Sequence, residues 1–356
     1  MFRALLALAS LLLSSLSLSD DTLRLRLLTW QGYAPIEQLR TFEQKIEREY
    51  GRKLTFDVSY VSSSDDYFEQ IRLNNVDIIV PSANVVLDSR YKMIERALII
   101  PMDLEQIPNF HDVRDEILQR VATQVGEQHY YIPFIYGPYG LAYDTFSSVE
   151  RPRSWLSFWD PLNAQKYSIS KDYYEANIYI TALAAGLNYR EVSNVNRLNT
   201  ARIKKMLKQL VRNSRHLWSG VDTSLDLRGN QLATSWGINL NASNEDDKRW
   251  EIVCPKEGTP VWIDGYALTR ELAHKPLHKR IAEQFINYSL SEQYQRDVVY
   301  KQLDSLPVNL PVFEQLARAD SLPAHERCID LSFTWPVLSF RQRNFMRSLW
   351  FQALRD

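Results

Sequence analysis

Val76-Asp77-Ile78-Ile79-Val80-Pro81-Ser82 is a β-branched run interrupted by one acid and stopped by a proline. A strand covered by helices on both faces looks like this, because neither face needs polar residues. Working outward, Leu25 to Thr29 reads as an earlier strand. A helix follows over about 35–50, with Ile36, Leu39, Phe42 and Ile46 on one face and Gly51 as its stop. Leu54, Phe56, Val58 and Tyr60 alternate as a second strand. The resulting order, strand–helix–strand–helix–strand, predicts an open α/β sheet.

The theme recurs downstream. Residues 130–135 and 140–143 read as strands around Tyr136-Gly137-Pro138, and 176–187 and 201–217 as helices. Segments 231–236 and 261–268 read as further strands, and 277–290 as a helix. A chain of 356 residues exceeds the roughly 100–200 typical of one domain, so two lobes are expected. No low-complexity linker separates them, which predicts that the chain crosses between lobes more than once and forms a hinge. The expected division is 20–137 with 265–308 for the first lobe, and 138–264 with 309–356 for the second.

Residues 1–19 carry one early positive charge at Arg3, an apolar run from Ala4 to Leu13, and a Ser17-Leu18-Ser19 ending. This is the pattern of a cleaved secretory signal, and its apolar core falls short of the roughly 20 residues that span a bilayer. With no cysteine near the cut for lipid attachment, the expected product is a soluble periplasmic protein beginning near Asp20. The formal net charge of −1 argues against a nucleic-acid partner, which demands a basic face. Cys254 and Cys328 either pair or remain separate buried thiols, and the sequence leaves both open. The chain also holds 9 Trp and 19 Tyr, and those placed where the chain turns are candidates for a binding cleft.

Catalytic motifs are missing. There is no Gly-x-Ser-x-Gly elbow, P-loop, dinucleotide fingerprint, His-Glu-x-x-His pair or Cys-x-x-Cys. His274 and His278 have a spacing that suits metal ligands, but Pro276 between them favours a solvated surface, so no metal or cofactor is expected. Two smaller constellations remain. Asp172 and Glu175 follow a strand at 167–170 and open the next helix, at the carboxyl edge where α/β sheets bind ligands. Helix capping is their structural alternative. Trp262 and Asp264 project to one face of a strand, placing an aromatic wall beside a carboxylate; their alternative is a core Trp beside a strand-end acid. A hydrolase using Asp172 and Glu175 is disfavoured. A glycosidase pair faces across a bond at roughly 5–9.5 Å, whereas two acids on one helix turn lie side by side.

In these residues the chain resembles the periplasmic spermidine/putrescine-binding proteins of ABC importers. The shared segments, in order, are Trp30-x-x-Tyr33-x-Pro35, Asp77-Ile-Ile-Val-Pro-Ser82, Ile132-Pro-Phe-Ile-Tyr-Gly137, Asp172-x-x-Glu175, Trp236, and Pro255-Lys-Glu-Gly258 followed by Trp262-x-Asp264. The resemblance implies a two-lobe periplasmic-binding-protein architecture, each lobe an open sheet flanked by helices, with a polyamine in the cleft. Trp30, Tyr33, Trp236 and Trp262 would then form aromatic walls, Asp172, Glu175 and Asp264 would pair ammonium groups, and Ser82 and Asn84 would line the first lobe. It also implies a monomer that is no enzyme. Such a protein closes on its cationic ligand and docks on a membrane permease, or on a membrane sensor that controls cyclic-di-GMP. Two positions depart from the family: Gly32 stands where some members carry an acid, and Asn84 where polyamine binders commonly carry a Tyr.

Overall fold

The computed structural model describes residues 22–121, 123–148, 150–238, 240 and 249–355, so the expected signal segment at 1–19 lies outside the described residues. Two sheets organise these residues, one of seven strands and one of five. In the first, Leu23–Thr29 lies parallel to Leu54–Tyr60 on one side and to Ile78–Ile79 on the other. The long strand Val261–Thr269 runs antiparallel to Ile78–Ile79, to Ile99–Ile100 and to Ile132–Pro138, and Leu306–Pro307 closes the far edge. The second sheet orders His216–Trp218, Tyr167–Ser170, Leu232–Ser235, Gly140–Asp144 and Trp250–Val253. Its first three strands are parallel, and Gly140–Asp144 runs antiparallel to both of its neighbours.

The strands that the apolar runs predict are buried. Every residue of Ile132–Pro138 and of Val261–Thr269 is buried, as expected for strands covered on both faces. The amphipathic helix Ile36–Tyr50 buries Leu39, Phe42 and Ile46 and ends at Gly51 with φ of 66°. Ile36 belongs to the same stripe but is exposed, because it sits in the first turn, beyond the covered part of the helix. The helix expected over 201–217 stops at Arg212. Beyond it, His216–Trp218 pairs as an edge strand with Tyr167–Ser170, so sheet pairing overrides the continuing helical pattern.

The lobe boundaries fall elsewhere than expected, for identifiable reasons. The chain leaves the first sheet at Tyr139, since Tyr136-Gly137-Pro138 is strand rather than turn. It returns before Val261, which pairs with Pro138, and not at 265; Trp262 and Asp264 therefore belong to the first sheet. A third crossing lies between Arg318 and Phe340. The helix Leu310–Arg318, capped by the Asn309 side chain, packs beside Leu306–Pro307 rather than on the second lobe. The C-terminal helix Phe340–Arg355 packs against Tyr174–Ala184 and Ala201–Arg212 of the second lobe.

The three crossings are stitched to one another. Tyr139 N donates to Pro260 O at 2.8 Å, and Trp335 N donates to Val261 O at 3.0 Å. Cys254 and Cys328 are joined in a disulfide that ties the second crossing to the third, with Cα atoms 4.8 Å apart. The bridge spans a sequence separation of 74, for which loop-closure entropy sets a ceiling of about 4.5 kcal/mol. Replacing both cysteines by serine should lower unfolding stability by about 2–4 kcal/mol. Urea denaturation of the wild type and the double variant checks this, and coincident transitions would contradict a stabilising bridge.

Candidate functional site: an aromatic chamber between the sheets

A cavity lies where the two sheets face each other. From the first sheet come Trp30 and Tyr33 in the turn after Leu23–Thr29, Ser82 and Asn84 after Ile78–Ile79, and Trp262 and Asp264 from the long strand. Opposite stand Tyr173, just before the helix Tyr174–Ala184, and Trp236, just after Leu232–Ser235. Trp335 enters from the third crossing. Tyr173 is the central ring. Its centroid lies 6.0 Å from Trp30 and 4.6 Å from Trp236, while Trp236 lies 5.7 Å from Trp335. The indole N–H of Trp262 donates to Pro138 O at 3.1 Å and that of Trp236 to Gly220 O at 3.2 Å. Their polar edges are thus satisfied by backbone, which fixes each ring while leaving its faces apolar.

Asp264 is the charged group of this chamber. A bulge at Asp264/Gly265 interrupts the pairing with Ile132–Pro138, and bulges re-aim side chains in this way. Only glycine fits at 265, because a Cβ there would lie 2.3 Å from Ile132 O. The Asp264 carboxylate accepts a hydrogen bond from Tyr33 Oη at 2.8 Å and another from Ser82 Oγ. Asp264 is 4% exposed, and no Lys, Arg or His among the described residues pairs with its carboxylate. Burial raises its pKa to about 7, against the opposing pull of the Ser82 and Tyr33 hydroxyls. Gly32, one of the two family departures, has φ of 94° in the turn that carries Tyr33. An acid at that position would be strained.

Asp172 and Glu175 do not act as a matched pair. The helix starts at Tyr174 with Tyr173 at its N-cap and no side-chain cap, so neither acid caps through a hydrogen bond, while Glu175 stands in the first turn, where the helix dipole favours an acid. Asp172 is half-buried, and takes no hydrogen bond or ion pair from a described residue. Glu175 is buried and already paired with the guanidinium of Arg343. Burial pushes the Glu175 carboxyl up, and Arg343 opposes that rise. Arg343 also pairs with Asp88 at 2.8 Å, and Asp88 pairs with Arg90 at 2.9 Å. Arg90 reaches Asp65 at 2.9 Å, and Asp65 also accepts from Tyr91. Both acids line a second cavity that shares Ser64, Asn84, Tyr173 and Trp335 with the aromatic chamber.

The nine residues expected as ligand contacts therefore each line one or other of these adjoining cavities. Sequence reasoning missed Tyr173, Trp335 and the arginines. For Arg343 a signal existed: on the C-terminal helix it falls on the buried stripe of Met346, Leu349, Trp350 and Ala353, where a cation needs a partner.

Comparison with known proteins places this arrangement. The family described as bacterial extracellular solute-binding protein matches residues 74–329. A curated relative, spermidine/putrescine-binding periplasmic protein 1 of Haemophilus influenzae, is 23% identical over 311 residues, covering 82% of this chain and 81% of the relative. Among solved structures, a spermidine/putrescine ABC transporter substrate-binding protein of Streptococcus pneumoniae superimposes with a TM-score of 0.71 at 17% identity. That match covers 93% of this chain and 98% of the other. A lipoprotein of Treponema pallidum gives 0.73 at 17% identity, covering 94% of this chain and all of the other. With the two-lobed α/β fold, the cavity between the sheets and a family match over most of its length, the chain belongs to the bacterial extracellular solute-binding proteins.

Proposed function

We propose that this chain is a periplasmic receptor for a small amine of the putrescine, spermidine and norspermidine class, which it presents to a membrane ABC permease. The observation that carries the reading is Asp264, a buried carboxylate without a cation, set in a chamber of aromatic rings. An ammonium group supplies what the site lacks. It pairs the carboxylate, and a cation over an aromatic face gains about 0.5–2 kcal/mol, more when water is excluded. Trp30, Tyr33, Trp236 and Trp262 flank the methylenes, with Tyr173 and Trp335 added to the walls, while Ser82 orients the carboxylate. Asp172 is the free acid for a second ammonium. A membrane sensor in place of the permease would use the same chamber and differ only in the docking partner; co-purification of the liganded protein with one or the other membrane protein distinguishes them.

The charge state of Asp264 makes the reading testable through pH. A bound ammonium favours the ionised carboxylate, so below about pH 7 ligand must expel a proton to bind. Calorimetry with putrescine in buffers of different ionisation enthalpy should show release of close to one proton near about pH 6 and almost none near about pH 8. Affinity should weaken by up to about tenfold per pH unit below neutrality. Absence of proton release at the lower pH would contradict pairing at Asp264.

Asp264→Asn separates function from stability. The folded pKa lies above the unfolded value near about 3.9, so the folded state holds a proton that the unfolded state has lost between those values. The contribution of this group is thus fully present at acid pH and disappears as pH rises through about 7. The variant should lose about 2–5 kcal/mol of amine affinity, yet melt at a higher temperature than wild type near about pH 8, with the gap closing near about pH 4. Thermal melts at both pH values check the sign; a variant that melts lower at the alkaline pH refutes the unpaired buried charge.

A further inference from the structure

Arg343 joins parts of the molecule that a binding cleft would otherwise leave apart. It projects from the C-terminal helix packed on the second lobe, and it pairs with Glu175 of that lobe. Its other terminal nitrogen reaches Asp88, which follows the short helix Ala83–Val86 of the first lobe, at 2.8 Å. All three side chains are buried, with Arg343 6% and Asp88 1% exposed. The cluster lines the cavity that adjoins the aromatic chamber, and it holds Glu175, the acid that the sequence offers as a ligand partner.

We propose that Arg343 is a specificity-determining residue: a built-in cation in the interlobe cleft that neutralises Glu175 and keeps it from a ligand ammonium, while its second ion pair, to Asp88, links the lobes. The proposal rests on the cationic-ligand reading of the chamber and extends it. A guanidinium and an ammonium are like charges, and a buried carboxylate already held by one gains little from the other. The free acids left for ligand are Asp264 and Asp172. A longer amine reaches Glu175 only by displacing Arg343 and breaking the contact to Asp88. The bridge is not fully satisfied: among the described residues, Arg343 Nε is buried without a hydrogen-bond partner. Such an orphaned donor costs free energy and opposes the ion pairs. Residue 343 is therefore a position at which ligand preference is open to tuning.

Arg343→Gln is the test, read by two titrations. The first is of wild type with putrescine and spermidine. A wild type that binds spermidine more than about tenfold more tightly than putrescine overturns the assignment without reference to any variant, so a variant that fails to fold does not remove the test. The second is the same titration of the variant. Freeing Glu175 should raise the preference for spermidine over putrescine by about tenfold or more relative to wild type. An unchanged ratio overturns the assignment of Arg343 while leaving the amine site intact. A wild type that binds neither amine removes the cationic-ligand reading and this assignment with it.

Discussion

A carboxylate buried beside aromatic rings with only hydroxyl groups for company is the interaction on which the rest of this structure turns. Asp264 sits at a bulge that only glycine at 265 permits, and Tyr33 and Ser82 reach it from two other segments of the first sheet. An ionised carboxylate in such a place costs several kcal/mol unless a cation arrives. The protein therefore keeps an unfavourable group in its interior, and this is the observation on which the proposed cation site rests. The neighbouring tyrosines add to the arrangement: Tyr131 Oη donates to Pro81 O and Ile263 O, and Tyr67 Oη to Val80 O, which fixes the backbone just before Asp264 and just before Ser82.

The second charged region behaves in the opposite way. Asp65, Asp88 and Glu175 are all paired with arginines of the chain itself, so this side of the cleft is internally compensated. Two adjoining cavities thus carry different chemistry. One is apolar with a single unsatisfied charge, and the other is a network of ion pairs that reaches across the lobes. The contrast explains why the paired-acid motif at Asp172 and Glu175 cannot be read as two equivalent ligand groups: one acid is free and the other is committed.

Much of the fold was legible because strands covered on both faces leave continuous apolar runs, as at Ile78–Ile79 and Val261–Thr269. Trp262 and Asp264 were legible together because alternation along a strand puts them on one face. What escaped was set by tertiary pairing. His216–Trp218 continues a helical pattern yet becomes an edge strand beside Tyr167–Ser170. The return to the first sheet at Val261 depends on pairing with Pro138, which no local signal announces. The commitment of Glu175 depends on Arg343, 168 residues away, and spacing along the chain carries no information about such a contact. The pairing of Cys254 with Cys328 was likewise undetermined until the second and third crossings were seen side by side.

The central claim, that Asp264 is the counter-charge awaiting a cation, is tested most directly by carbon-13 NMR titration of its carboxyl group, assigned by comparison with an Asp264 variant. In the ligand-free protein the resonance should titrate with a midpoint of about 7. With saturating putrescine the midpoint should fall by about two units or more, toward the ordinary carboxylate range. A midpoint that stays near neutrality in the presence of bound amine would contradict the account.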